Sequence, residues 1–255
     1  MTAEKATRAF GWRVFGLGVM ALGMVCLAFG EFVLGQPVPR DFSNPIALAY
    51  AAAVFMLVTG AAIEWPRTTV RGAAALTAFY ALFVVILMDG RYVLAHVAEF
   101  GTYSGVAEQV AITAGGLIVY ATHARIDATL AARLTRLGQV MFGGCALLFG
   151  GAHFVYLSLT APLVPRWLPP GQEFWAYATG LGHIAAGLAI VTGIKARLAA
   201  ILLTAMYASF GLLVHAPMLL AHPTSQAIWT ENAINLALTG VAWVVADSLA
   251  RSRRH

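Results

Sequence analysis

Residues 45–63 read PIALAYAAAVFMLVTGAAI, a 19-residue run with no charged side chain. A helix needs about 20 apolar residues to cross the hydrocarbon layer of a bilayer, so this run predicts one crossing. Working outward from it, comparable runs fall near 12–34, 73–94, 106–121, 137–160, 174–193, 198–220 and 229–249. Turn signals separate them: Gln36-Pro37-Val38-Pro39, Trp65-Pro66, Pro165 to Gly171, and His222-Pro223. The expected fold is therefore all-α, a polytopic membrane protein of eight transmembrane helices. Composition agrees. Of 255 residues 60% are hydrophobic and 11% charged, whereas a soluble domain carries about a quarter charged residues. Too few polar side chains exist to cover a surface in water, so lipid is the expected partner of the outer face.

The net charge of +5 does not point to nucleic acid, because the basic residues sit in short runs between apolar stretches. Cytoplasmic loops collect Lys and Arg. Of 16 such residues only Arg40, Arg91 and Arg166 fall on one side of the layout. The other side takes the rest, including Lys5, Arg8, Arg13, Arg67, Arg71, Arg125, Arg133, Arg136 and the Arg251–Arg254 cluster. The bias places both termini in the cytoplasm. Cys26 and Cys145 both lie in apolar runs, so neither a disulfide framework nor a redox CxxC is expected.

The quoted stretch recurs. Ala49-Tyr50-Ala51 returns as Ala176-Tyr177-Ala178, Gly60 as Gly187, Leu76-Thr77-Ala78 as Leu203-Thr204-Ala205, and Tyr80-Ala81 as Tyr207-Ala208, all 127 positions on. The first helices match near a shift of 122. Residues 1–121 and 137–255 are thus expected to be tandem four-helix bundles, joined by a cytoplasmic linker at 122–136. Four crossings per unit is an even number, so the units run parallel.

An ionisable group in hydrocarbon costs several kcal/mol and needs a partner, a cavity or an interface. His153, His183, His215 and Glu231 all fall in the outer half of the second unit, one on each of its four helices. They form the candidate site. Three imidazoles and a carboxylate suit a transition metal (His153, His183 and His215 as ligands), a haem iron, or proton exchange with a quinone. No HxxxH or HxH spacing singles out the metal. The first unit carries Glu31 (opposite His153 at the shift of 122), Asp89, Arg91 and Glu108, read as an ion-paired structural cluster in which Arg91 neutralises a carboxylate.

The second unit resembles the DoxX-like family of bacterial membrane proteins. The residues that carry the likeness are Gly150 to Phe154, Val164-Pro165-Arg166-Trp167-Leu168-Pro169, the helix from Tyr177 to Gly187, Ala196 to Ala200, Val214-His215-Ala216-Pro217, and Trp229 to Asn235. The resemblance implies a multi-pass protein of the bacterial inner membrane with a redox role, working with a periplasmic or membrane redox partner. This chain has no outer-face cysteine, which sets it apart from thiol-exchanging relatives. A non-enzymatic scaffold or partner subunit, and a small-solute or ion transporter, are the other readings left open.

Overall fold

The computed structural model describes residues 10–33, 35–39 and 41–251, the last without its side chain. Lys5, Arg8, Arg40, Arg253 and Arg254 and the side chain of Arg251, all counted above for sidedness, lie outside that set. No strand occurs among the described residues. Among the described residues, eight helices are long and apolar enough to cross a membrane: α1 (Gly11–Phe29), α2 (Pro45–Glu64), α3 (Thr69–Ala95), α4 (Phe100–His123), α5 (Ala128–Val155), α6 (Gln172–Thr192), α7 (Ala196–Ala221) and α8 (Gln226–Ala250). Helices keep every backbone polar group paired within the segment, which is why such a composition folds this way in lipid.

Several ends differ from the apolar runs, each for a local reason. Helix α1 stops at Phe29 rather than 34 because Gly30 takes φ +68° and its N–H donates to the Cys26 carbonyl. This left-handed turn suits glycine. Helix α5 starts at 128 because the Asp127 carboxylate accepts the Leu130 N–H at 2.9 Å, an N-cap. The linker expected over 122–136 is accordingly only the turn at 124–127. Arg136 rides on α5 and donates to the Ile190 and Val191 carbonyls, two of the last four of α6, which have no partner inside their own helix. Arg136→Met should lower stability by about 1.5–3 kcal/mol, the range for hydrogen bonds from a charged donor. An unchanged midpoint in denaturant titration would contradict that role.

The helices form a closed ring in chain order, α8 packing back on α1, and α4 and α8 also meet across the middle. These two are the most buried, 61% and 72% of their apolar windows, against 28% and 22% for α3 and α7. The two quartets expected as separate bundles thus share one core, in which Phe15, Ile118, Phe142, Leu203 and Val241 belong to a single cluster. The Gly11 N–H donates to Asp247 Oδ2 at 3.1 Å, so the first and last helices meet at the same end. Outward-facing Leu82, Ile86, Leu212 and Leu220 are large and exposed, a surface made for lipid.

The duplication is visible in the packing. A Cβ on Gly60 would stand 2.9 Å from the Gly16 carbonyl oxygen, and one on Gly187 would stand 2.7 Å from that of Gly143. Likewise Gly23 abuts the Ala53 carbonyl at 2.9 Å and Gly150 that of Gly180 at 2.8 Å. Each pair is carried onto its counterpart by adding 127, which also carries fully buried Phe15 onto fully buried Phe142. The shift of 122 expected for the first helices is therefore corrected to 127. Cys26, not Glu31, stands where the second half has His153.

Two helices leave regular geometry. α3 is π-helical over Phe79–Asp89 and α7 over Gly211–His215. In α7 the cause is local: Pro217 has no N–H, and its ring crowds the preceding turn. Side chains of α8 reach carbonyls at either end of this turn. Asn235 Nδ2 donates to Tyr207 at 3.0 Å and Asn232 Nδ2 to His215 at 2.9 Å.

Candidate functional site

The π turn of α7 opens the second quartet towards the end remote from the termini. There a cavity of about 670 Å³ is lined by all four residues of the candidate site: His153 from α5, His183 from α6, His215 from α7 and Glu231 from α8. The segment Leu163–Leu168 covers it, and Ser104 and Glu108 of α4 reach in from the first half. Most of the remaining wall is apolar or aromatic, with Phe149, Trp175, Tyr207 and Phe210 prominent.

Helical spacing builds the polar face. Thr179 and His183 are one turn apart, so the His183 Nδ1 meets the Thr179 carbonyl at 2.9 Å. A carbonyl only accepts, so Nδ1 holds the proton and the lone pair of a neutral His183 is on Nε2. The Thr179 hydroxyl donates to the Trp175 carbonyl at 2.7 Å. Its oxygen also lies 3.4 Å from His153 Nδ1. One threonine therefore contacts both rings. Their centroids lie 5.3 Å apart with planes tilted 32°. Tyr207 sits against His183 at 5.4 Å, and its buried hydroxyl has no hydrogen-bond partner. In the first half the equivalent pair is Tyr80 and Met56, where the tyrosine hydroxyl donates to the thioether at 3.3 Å. The two halves share the tyrosine; where the first has Met56 as its acceptor the second has His183, and there the hydroxyl has no partner.

Three expectations need correction. His153, His183 and His215 do not make a metal centre: among the described residues no three His, Cys, Asp or Glu side chains are grouped to hold an ion. Arg91 does not neutralise Asp89, Glu31 or Glu108. It pairs with Asp41 at 3.0 Å, holding that carboxyl below the usual carboxylate range, and both side chains are exposed. Glu108 is not part of a first-unit cluster but lines the histidine cavity, while Glu31 and Asp89 line another. Sequence reasoning also missed Trp175, Tyr207 and Phe210. The Trp175 indole donates to the Pro169 carbonyl at 2.9 Å and its ring forms part of the cavity wall.

Residues 142–247 match the model of a family described as Domain of unknown function (DUF8561). No curated protein and no solved structure matches the chain. The matched stretch holds His153, His183, His215 and Glu231 but not Glu108.

Proposed function

We propose that this chain is a quinone-binding component of a redox system in the bacterial inner membrane, with its termini in the cytoplasm and its histidine cavity near the outer face. The observation that carries the reading is the convergence of His153, His183, His215 and Glu231 on one largely apolar cavity. A quinol ring needs an apolar slot with a few placed polar groups, the usual composition of a ligand pocket. The donor and acceptor set fits it. Nε2 of His183 and a ring nitrogen of His153 accept from quinol hydroxyls, and the unpartnered Tyr207 hydroxyl donates to a ring oxygen. Oxidation of a quinol releases two protons and two electrons. The imidazoles and the Glu231 and Glu108 carboxylates take up protons, and the electrons pass to a redox-active partner protein. Haem fits less well, since rings 5.3 Å apart leave no space for a porphyrin plane between them. The resemblance to DoxX-like proteins supports the redox reading, and the arginine bias supports the orientation.

A short-tail ubiquinone tests the proposal. Ligand that binds only the folded state stabilises by about 2.7 kcal/mol at a hundred times Kd, so the purified protein should melt several degrees higher with it. His183→Ala should abolish that rise while leaving a folded protein. Indifference of the native protein to both oxidised and reduced forms would overturn the reading in favour of a scaffold role, in which the histidines only hold helices together.

A further inference from the structure

The first half has a cavity of its own, about 700 Å³, at the same end of the bundle and separate from the histidine cavity. Three carboxylates line it from three places in the chain: Glu31 just after α1, Asp89 on α3 and Glu99 just before α4. No Lys or Arg is among its described lining residues. Among the described residues, Arg91 on the same helix as Asp89 is engaged with Asp41.

Three buried side chains in this wall, Asp89, Gln36 and Thr102, have unused hydrogen-bonding capacity. Asp89 is 1% exposed, and its Oδ2 has no partner. Gln36 is 4% exposed; its amide nitrogen donates to Gln109 at 3.3 Å, while its Oε1 accepts nothing. Buried polar atoms are nearly always paired, and a carboxylate in hydrocarbon surroundings needs a cation or a proton. Asp89 Oδ2 and Gln36 Oε1 call for a donor, and the Thr102 hydroxyl can accept as well as donate.

We propose that this cavity binds an organic polyamine. A single metal ion does not fit, because the carboxylates are not grouped closely enough to ligate one, and the space far exceeds an ion. The charges are dispersed around a chamber whose intervening wall is apolar, with Phe32, Val33, Ile46 and Val106 on it. Ammonium groups separated by methylene spacers match that alternation, each head meeting a carboxylate and each spacer an apolar wall. The Tyr92 ring at the rim adds a face on which an ammonium can rest. This inference is independent of the quinone reading, since it uses none of the histidine cavity.

Thermal unfolding of the full chain in lipid nanodiscs, with spermidine and 1,4-diaminobutane at constant ionic strength, tests it. Both should raise the melting temperature, spermidine more, with butylamine much weaker and magnesium or calcium chloride without effect. Asp89→Asn should reduce the apparent affinity at least tenfold, Glu31→Gln and Glu99→Gln together should do so as well, and His183→Ala should leave it unchanged. The paired glutamine variant guards against misfolding of the buried asparagine variant. Absence of stabilisation by either amine, equal stabilisation by butylamine or by the divalent salts, or full retention in both acidic-site variants would overturn the proposal.

Discussion

Gly187→Val should be strongly destabilising, lowering stability by about 3 kcal/mol, the upper end for overpacking. The new Cβ would lie 2.7 Å from the Gly143 carbonyl oxygen and 2.9 Å from the Leu147 side chain. A backbone oxygen has no rotamer to escape into, so α5 and α6 must separate. Small residues at such contacts are what allow helices in lipid to approach, where no hydrophobic force drives them together. Gly60→Val, its counterpart, should act in the same direction but less strongly. There the closest atom, at 2.6 Å, belongs to the flexible Met20 side chain, and the Gly16 carbonyl follows at 2.9 Å. Unfolding by dodecyl sulfate titration gives both numbers. Unaffected midpoints for the two variants would show that these crossings do not hold the bundle.

The second large effect is expected from Asn235→Ala combined with Asn232→Ala. The two amides serve carbonyls on either side of the π turn in α7, at 3.0 Å and 2.9 Å. Asn235 is 8% exposed, and the Tyr207 carbonyl keeps the Gly211 N–H as a donor when the amide is removed. Each lost hydrogen bond costs about 0.5–1.5 kcal/mol, so the pair should cost about 1–3 kcal/mol. The functional effect should exceed that of a distant change of equal stability, because the turn carries His215 and starts just beyond Tyr207. Short-tail ubiquinone should bind at least tenfold more weakly to the double variant. Normal binding by a destabilised protein would mean that the π turn does not shape the cavity.

Much of this was legible in the chain because lipid imposes few solutions. All eight apolar runs became helices, since a long apolar run in lipid pairs its backbone groups within a helix. The grouping of His153, His183, His215 and Glu231 followed from depth along each crossing, a one-dimensional argument that the ring order of helices happens to preserve. What failed was whatever depends on side-chain registry between helices. Alanine-rich helices match each other at more than one offset, so a shift of 122 was preferred for α1 and α5. The reciprocal contacts of Gly16 with Gly60 and Gly143 with Gly187 fix it at 127. Glu108 was assigned to its own half because the duplication suggested two independent bundles; the meeting of α4 with α8 at the centre directs it across. Asp89 and Arg91 are two apart and looked like partners, yet on a helix such residues point in different directions. The π segment of α3 has no proline and no sequence signal at all.

The account rests on one cavity in the second half receiving a planar lipophilic ring. Photolabelling with an azido-quinone, followed by peptide mapping, addresses this most directly. Label should fall on residues facing that cavity, such as Phe149, Met206 and Phe210, with Trp175 of α6, and excess unlabelled quinone should remove it. Label scattered over exposed leucines such as Leu82, Leu212 and Leu220, and unchanged by competitor, would contradict the account.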